Sequence, residues 1–487
     1  MQINLCGPSY KLNSIDVNNQ RCINWFPVSP GPDGRGKSPL VRTCGLKEMI
    51  NLGNDPIRCM GEAGDFVYVV CGSNVHKLTI NYLTKTATSE VIGTLGSSLG
   101  TVYMASNPTQ VMWVDGSNKG YIYDPTQPVE ADKFRQIPSP FPTAGSVVFI
   151  DSYFVVNEPN TGKFYFSAGN NGMSWDPLDV ATAETDTDAI VALGVTKGEL
   201  WIIGEESTEI WYNAANPTGS PFSLRSGLQM KIGCGAKDSV VSVNDLLIWL
   251  DHRGFIVQSA VSPFVRSNNS GYDMQIISDE AITAEILSYT RRDDAIAMSY
   301  VDRGHIMYQI SFPSAKKTWV FDYTTKAWHE RTYFNSLDNA EEHHLGQFYA
   351  KYKSLHLMAG VRDGRVYLSD PAYFTDNGNV IKCTRVSPVQ YDNELFRLAG
   401  VDRVDLRVGF NAHMVQSPKV TMRYSHNGGH TWSDHLVRII GETGEYAKPI
   451  TWNRLGVGRE WVFEFVITEN MGFTVIDAVA TTNELES

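Results

Sequence analysis

Positive charge is scarce in this 487-residue chain: 41 Lys and Arg stand against 53 Asp and Glu, for a net charge of −12. Proteins that wrap nucleic acid do so by neutralising phosphates with Lys and Arg, so tight gripping of DNA is excluded, whereas DNA sliding past an acidic wall is not. Long apolar runs are also missing: nowhere do about 18 apolar residues follow one another, the length a membrane helix needs. The start, Met1-Gln2-Ile3-Asn4-Leu5-Cys6-Gly7-Pro8, has no basic stretch leading into an apolar one. Both absences predict a soluble protein with no membrane segment and no recognisable export signal. The seven cysteines, Cys6, Cys22, Cys44, Cys59, Cys71, Cys234 and Cys383, are odd in number and lack C-x-x-C spacing. That argues against a zinc site and a complete disulfide framework, and predicts small buried hydrophobes in a reducing compartment. The motif H-E-x-x-H does not occur, and no catalytic, cofactor-binding or metal-binding residues are assigned.

What the chain does have is apolar and aromatic mass: 42% hydrophobic residues, with 22 Tyr, 21 Phe and 11 Trp. A short apolar strand, usually closed by Gly or Asp-Gly, recurs along it. It appears at residues 66–72, 111–116, 147–150 with 153–156, 200–204, 246–250, 295–300 and 355–360. The spacing is mostly about 40–50 residues, the length of one four-stranded propeller blade. An alternating strand follows several of these, as in Val75-His76-Lys77-Leu78-Thr79-Ile80 and Arg365-Val366-Tyr367-Leu368-Ser369-Asp370, with the period of two that marks a half-buried strand. The clearest unit runs from Thr318 through an Asp322-to-Lys326 turn to Trp328 and Glu330.

These patterns predict an all-β fold: a β-propeller of six or seven blades over residues 55–385, an N-terminal arm over 1–54 and a β-sandwich over 386–487, the arm being free to pack with the sandwich. The arm is rich in Pro and Gly between Pro27 and Gly36, which signals turns. One short helix is expected around residues 278–287, with Ser278 as its N-cap.

Four stretches carry side chains capable of chemistry. Ser425-His426-Asn427-Gly428-Gly429-His430-Thr431-Trp432 resembles the Asp-box of sialidases, with Asn427 replacing the Asp, and Asn170-Asn171-Gly172-Met173-Ser174-Trp175 is a degraded relative. Such boxes stabilise hairpins: Gly takes positive φ, the Asp or Asn caps amides, and Trp packs. Arg291-Arg292-Asp293-Asp294 and Glu341-Glu342-His343-His344 are expected to be charged surface loops, and Glu184-Thr185-Asp186-Thr187-Asp188 lacks the Gly and distal Glu of a calcium loop. A propeller glycan hydrolase would need two carboxylates about 5–10 Å apart at one mouth. A carbohydrate-binding propeller would need exposed Trp and Tyr in shallow pockets.

Residues 183–331 resemble the packaged-DNA stabilisation family of short-tailed bacteriophages, the tail hub or nozzle proteins. The resemblance rests on Ala183-Glu184, Asp188 through Gly194, Gly198 through Gly204, Ser207 through Tyr212, and Gly233-Cys234-Gly235-Ala236. It continues through Asp251-His252-Arg253-Gly254-Phe255, Ser278 through Ile282, Gly304 through Tyr308, Phe312-Pro313, Thr318 through Asp322 and Trp328-His329-Glu330-Arg331. Asn24-Trp25-Phe26-Pro27-Val28 is similar to the family's arm. The resemblance implies a structural virion protein without enzymatic activity, assembled in the host cytoplasm into a homohexameric ring of the virion tail. It implies contact with a portal-adaptor protein and a tail fibre or tailspike, retention of packaged DNA, and non-specific passage of double-stranded DNA through the lumen.

Overall fold

The protein was analysed as a computed structural model, which describes residues 6–12, 14–15, 17–34, 38–183, 188–216, 219–225, 229–261, 272–391, 398–410, 415–442, 445 and 448–484. Seven sheets form a ring of blades. Blades 1 to 5 are four-stranded sheets of consecutive strands, opening respectively on Ile57–Ala63, Tyr103–Ser106, Val147–Ile150, Ile190–Thr196 and Val241–Val243. Blade 6 opens on Ile296–Asp302 and ends on Ala327–Glu330, and blade 7 opens on Phe348–Tyr352. Each opening strand contacts those of the blades before and after it, and that of blade 7 returns to blade 1. The ring is therefore a closed seven-bladed propeller.

The recurring apolar strand is mainly the second strand of each blade, covered on both faces by neighbouring sheets. Trp113, Trp201 and Trp249 occupy it in blades 2, 4 and 5 and are fully buried. Trp201 and Trp249 meet edge to face at 6.5 Å, and Tyr68 of blade 1 meets Trp113 of blade 2 at 5.7 Å. Large rings fill the wedge that opens between radially splayed sheets.

Blade 7 closes the ring with a borrowed strand. Its first three strands come from residues 348–370, but its outer strand is Gly45–Asn51, antiparallel to Arg365–Asp370. Gly45 is required there, because a Cβ would lie 2.6 Å from the carbonyl oxygens of both Tyr373 and Thr375.

The same N-terminal region supplies three strands of the sandwich. One sheet joins Asn19–Ile23 to Cys383–Val386, Val462–Ile467, Lys419–Ser425 and Leu436–Ile439; the other joins Trp25–Pro27 to Leu40–Arg42, Phe473–Glu484, Ala399–Phe410 and Ile450–Gly458. Asn24, at φ 56°, makes the left-handed step that carries the chain from one sheet to the other. Between the sheets lie Trp25, Val404, Leu406, Trp452, Phe463 and Phe465. The first sheet also continues into blade 6, since Ile23 pairs in parallel with Glu330.

Three expectations need correction. Residues 1–54 are not one arm, because 19–42 belong to the sandwich and 45–51 to the propeller. Cys383–Val386 straddles the expected 385/386 boundary and pairs within the sandwich. The helix, Glu280–Leu287, is capped by Asp279, whose carboxylate accepts from Ile282 N at 2.8 Å; the Ser278 hydroxyl instead accepts from Ile256 N.

Leu46 of the borrowed strand is 1% exposed, so Leu46→Ala is expected to cost about 3 kcal/mol in urea unfolding, the usual loss for a buried leucine. Leu337→Ala, at a site 95% exposed, should leave the midpoint unchanged.

Candidate functional site

The stretches with chemical potential do not converge. The Asp-box-like turn follows the sandwich strand Lys419–Ser425, and its polar atoms are occupied within the turn. Asn427 Oδ1 accepts from Thr431 N at 2.9 Å and from the Ser425 hydroxyl at 2.8 Å, while Gly428 and Gly429 have positive φ. Its relative forms the outer hairpin of blade 3, where Trp175 is buried and its Nε1 donates to Gly172 O. Both are structural turns, and a sugar would have to displace these bonds.

Arg291 pairs with Asp293 at 2.7 Å on the exposed surface. Glu184–Asp188 lies outside the described residues except for Asp188, whose carboxylate accepts from Glu206 N and Ser207 N. Glu341-Glu342-His343-His344 departs from the expected surface loop. It closes a two-stranded hairpin after blade 6; both histidines are buried, Glu341 pairs with Lys382 at 2.9 Å, and Glu342 pairs with Arg362. Among the described residues, no group of three or more His, Cys, Asp and Glu could hold a metal ion.

The propeller axis is bridged. Asp238, in the connection entering blade 5, accepts from the Thr101 hydroxyl at 2.7 Å and from the Tyr103 hydroxyl, both at the entrance to blade 2. These blades lie three apart in a ring of seven, so the contacts span the hole. Burial and Asp238 together push the Tyr103 hydroxyl well above its ordinary pKa.

The densest polar constellation is a joint where the N-terminal strands, blades 6 and 7 and the sandwich meet. Arg21 makes a two-pronged bond to Glu330, Nε to Oε1 at 2.9 Å and Nη2 to Oε2 at 2.6 Å, beside the parallel Ile23 and Glu330 pairing. Burial alone would raise the Glu330 carboxyl, but Arg21 holds it below its ordinary value. The next residue, Arg331, points the other way along the strand and is 1% exposed. It donates to Cys44 O at 2.6 Å and to the Tyr300 hydroxyl at 3.1 Å, tying blade 6 to the start of the borrowed strand.

Arg42 lies between the rings of Phe374 and Phe473 and donates to the carbonyls of Glu469, Met471 and Phe374. Arg303 bonds Asp302 at 2.7 Å and Arg42 O at 2.5 Å. Arg385 reaches Pro8 O at 2.8 Å and Gln20 Oε1 at 2.7 Å. A planar guanidinium with five donors can satisfy several carbonyls from different elements at once, which a lysine cannot. The constellation therefore acts as a clamp.

Sequence reasoning missed most of these residues. Glu330 and Arg331 appear within the family-like run, but Arg21, Arg42 and Arg385 sit in unremarkable strands. The one available signal is a charged residue in an otherwise apolar strand, as in Cys383-Thr384-Arg385-Val386.

Residues 10–370 match the family described as "Bacteriophage P22 Gp10, beta-propeller", well over half of the chain. No curated protein matches. Among solved structures, the chain is similar to the WD40 β-propeller domain of Doa1 at 9% identity and TM-score 0.41, with 67% of this chain and 97% of that one covered. It is also similar to the Cps50 (Swd1) β-propeller domain of Myceliophteria thermophila at 9% identity and TM-score 0.42, covering 67% and 99%. A third is the extracellular domain of the putative hybrid two component system BT4673 of B. thetaiotaomicron, at 10% identity and TM-score 0.43, covering 67% and 40%.

Two predictions follow from the clamp and its surroundings. Glu330→Gln leaves Arg21 without its counter-charge and is expected to cost about 3 kcal/mol by denaturant unfolding, the range for breaking a buried pair. The second concerns pH. Burial holds His329 and His343 down to about 4, with Arg362 adding to the effect at His343. Proton uptake then favours the unfolded chain, so stability falls as pH is lowered from 6.5 towards 4, by about 1.4 kcal/mol per pH unit for each group. Asp376, pushed up to about 6 by burial against the pull of Arg331 and Arg42, opposes one of them between its ordinary value and pH 6. The melting temperature should therefore drop between pH 7 and 4.5, and drop less in His329→Phe, because neither His329 ring nitrogen has a hydrogen-bond partner among the described residues.

Proposed function

Because the chain belongs to the bacteriophage P22 Gp10 β-propeller family, phage structural proteins of the DNA-stabilisation and tail class, we propose that it is the tail hub or nozzle of a short-tailed phage. Six copies form a ring below the portal-adaptor, carry the tail fibre or tailspike, retain the packaged genome and conduct it out at ejection. The protein works in the virion tail after assembly in the host cytoplasm, and it acts by architecture with no enzymatic step.

The bridged propeller axis is the observation that carries this reading. A conduit protein whose own hole is spanned by Asp238, Thr101 and Tyr103 must place the conduit between copies, and a ring does so. Two further features support it. The clamp ties propeller and sandwich together through buried arginine contacts, as the wall of a tail requires. The net charge of −12 leaves a wall that repels phosphate and lets a duplex slide.

Electron microscopy of the purified protein with its adaptor is the test. Rings with a central lumen are expected, and particles lacking the protein should lose their DNA on purification. Globular monomers alone, even with the adaptor present, would overturn the proposal.

A further inference from the structure

Outer strands of propeller blades are exposed sheet edges, and natural proteins blunt them with Pro, Lys, bulges, brevity or a covering element. Most outer edges here are protected in this way. Those of blades 2 and 4 have three residues, that of blade 3 carries Asp176, Pro177 and two register shifts, and those of blades 6 and 7 are covered by Asn19–Ile23 and Thr375–Asp376. Blades 1 and 5 leave theirs open, and that of blade 5, Tyr272–Ile276, has five residues. The outer strand of blade 1, Thr86–Thr94, is longer, with nine residues, Glu90 as its one charge, no Pro, no Lys and a single register shift between Val91 and Gly93. It ends its sheet, with Val91 53% exposed.

The sandwich has a matching open edge. Leu436–Ile439 ends the ten-stranded sheet, and Val437, Arg438 and Ile439 are all exposed. Ile440 N bonds Pro418 O, so by the antiparallel alternation the N–H and C=O groups of Val437 and Ile439 point away from the sheet. Of these, the Val437 carbonyl is covered by Arg438 Nη1 at 2.9 Å.

We infer that the blade 1 edge, Thr86–Thr94, pairs with the sandwich edge, Leu436–Ile439, of a second copy of this chain, joining subunits head to tail. Opposite charge and apolar matching fix one antiparallel register. Glu90 faces Arg438, Val91 faces Val437 and Ser89 faces Ile439, so the charged pair lies on one face and the valine pair on the other. The two edges are different patches on different parts of the chain, and such a heterologous contact closes into a ring when its rotation allows. The inference rests on the ring reading above and supplies its subunit contact.

Disulfide trapping tests it. All seven native cysteines are buried, so Ser89→Cys with Ile439→Cys should give, under mild copper-catalysed oxidation, a ladder of covalent oligomers on a non-reducing gel. Thr86→Cys with Ile439→Cys, out of register, should not. Glu90→Arg should raise the concentration for half-assembly about fivefold through like charges across the strands, and adding Arg438→Glu should restore it. Rings in the microscope with neither ladder nor rescue would overturn the edge pairing and leave the ring intact. Absence of rings in every form would overturn both.

Discussion

The two-pronged bond between Arg21 and Glu330 is the point on which the rest of the molecule turns. It sits where an N-terminal strand runs parallel to the last strand of blade 6, and it fixes that strand's register against a sheet built from residues about three hundred positions later. Once this strand is placed, the Asn24 step delivers the chain to the second sandwich sheet, and residues 45–51 arrive at the open edge of blade 7. Closure of the propeller and completion of the sandwich thus depend on one buried ion pair and the strand that carries it. Removing a buried charge from its partner is costly because nothing nearby can solvate what remains.

The surrounding arginines extend that constraint. Arg42, Arg331 and Arg385 are each at most 4% exposed and direct their donors mainly at carbonyl oxygens. Carbonyls at the ends and crossings of sheets are the acceptors that regular pairing leaves over, and they are costly to bury unmet. A guanidinium in each crossing satisfies them while locking the angle between elements. A joint of this kind resists hinge motion between the elements it ties.

Much of the propeller was legible in the sequence. The second strand of most blades is apolar on both faces because sheets cover it twice, so it stands out as a continuous run such as Leu200-Trp201-Ile202-Ile203. The unit from Lys317 to Glu330 was legible for a related reason: Asp322 Oδ1 accepts from Thr324 N and Thr325 N, and Lys326 takes positive φ, so local chemistry alone dictates the turn. The exchange of N-terminal strands was not legible. Gly45–Asn51 and Asn19–Ile23 look like ordinary half-buried strands, and a period-two pattern states that a strand has a covered face without naming its neighbour. The clamp was hidden for the same reason, since its members come from residues 21, 42, 303, 330, 331 and 385 and share no local spacing. The paired histidines misled because their run of charges is a surface signature, while the hairpin that buries them is a tertiary event.

The borrowed outer strand of blade 7 has a consequence in time. Residues 45–51 leave the ribosome long before residues 365–370, which they must pair with, an interval of about half a minute at roughly 10 residues per second. During it, blades 1 to 6 are added one after another to an open arc, and only the last third of synthesis closes them. A chain cut short before residue 365 therefore has neither a closed ring nor a sandwich to stabilise it. The fold is thus unfinished until strands made more than three hundred residues apart have met.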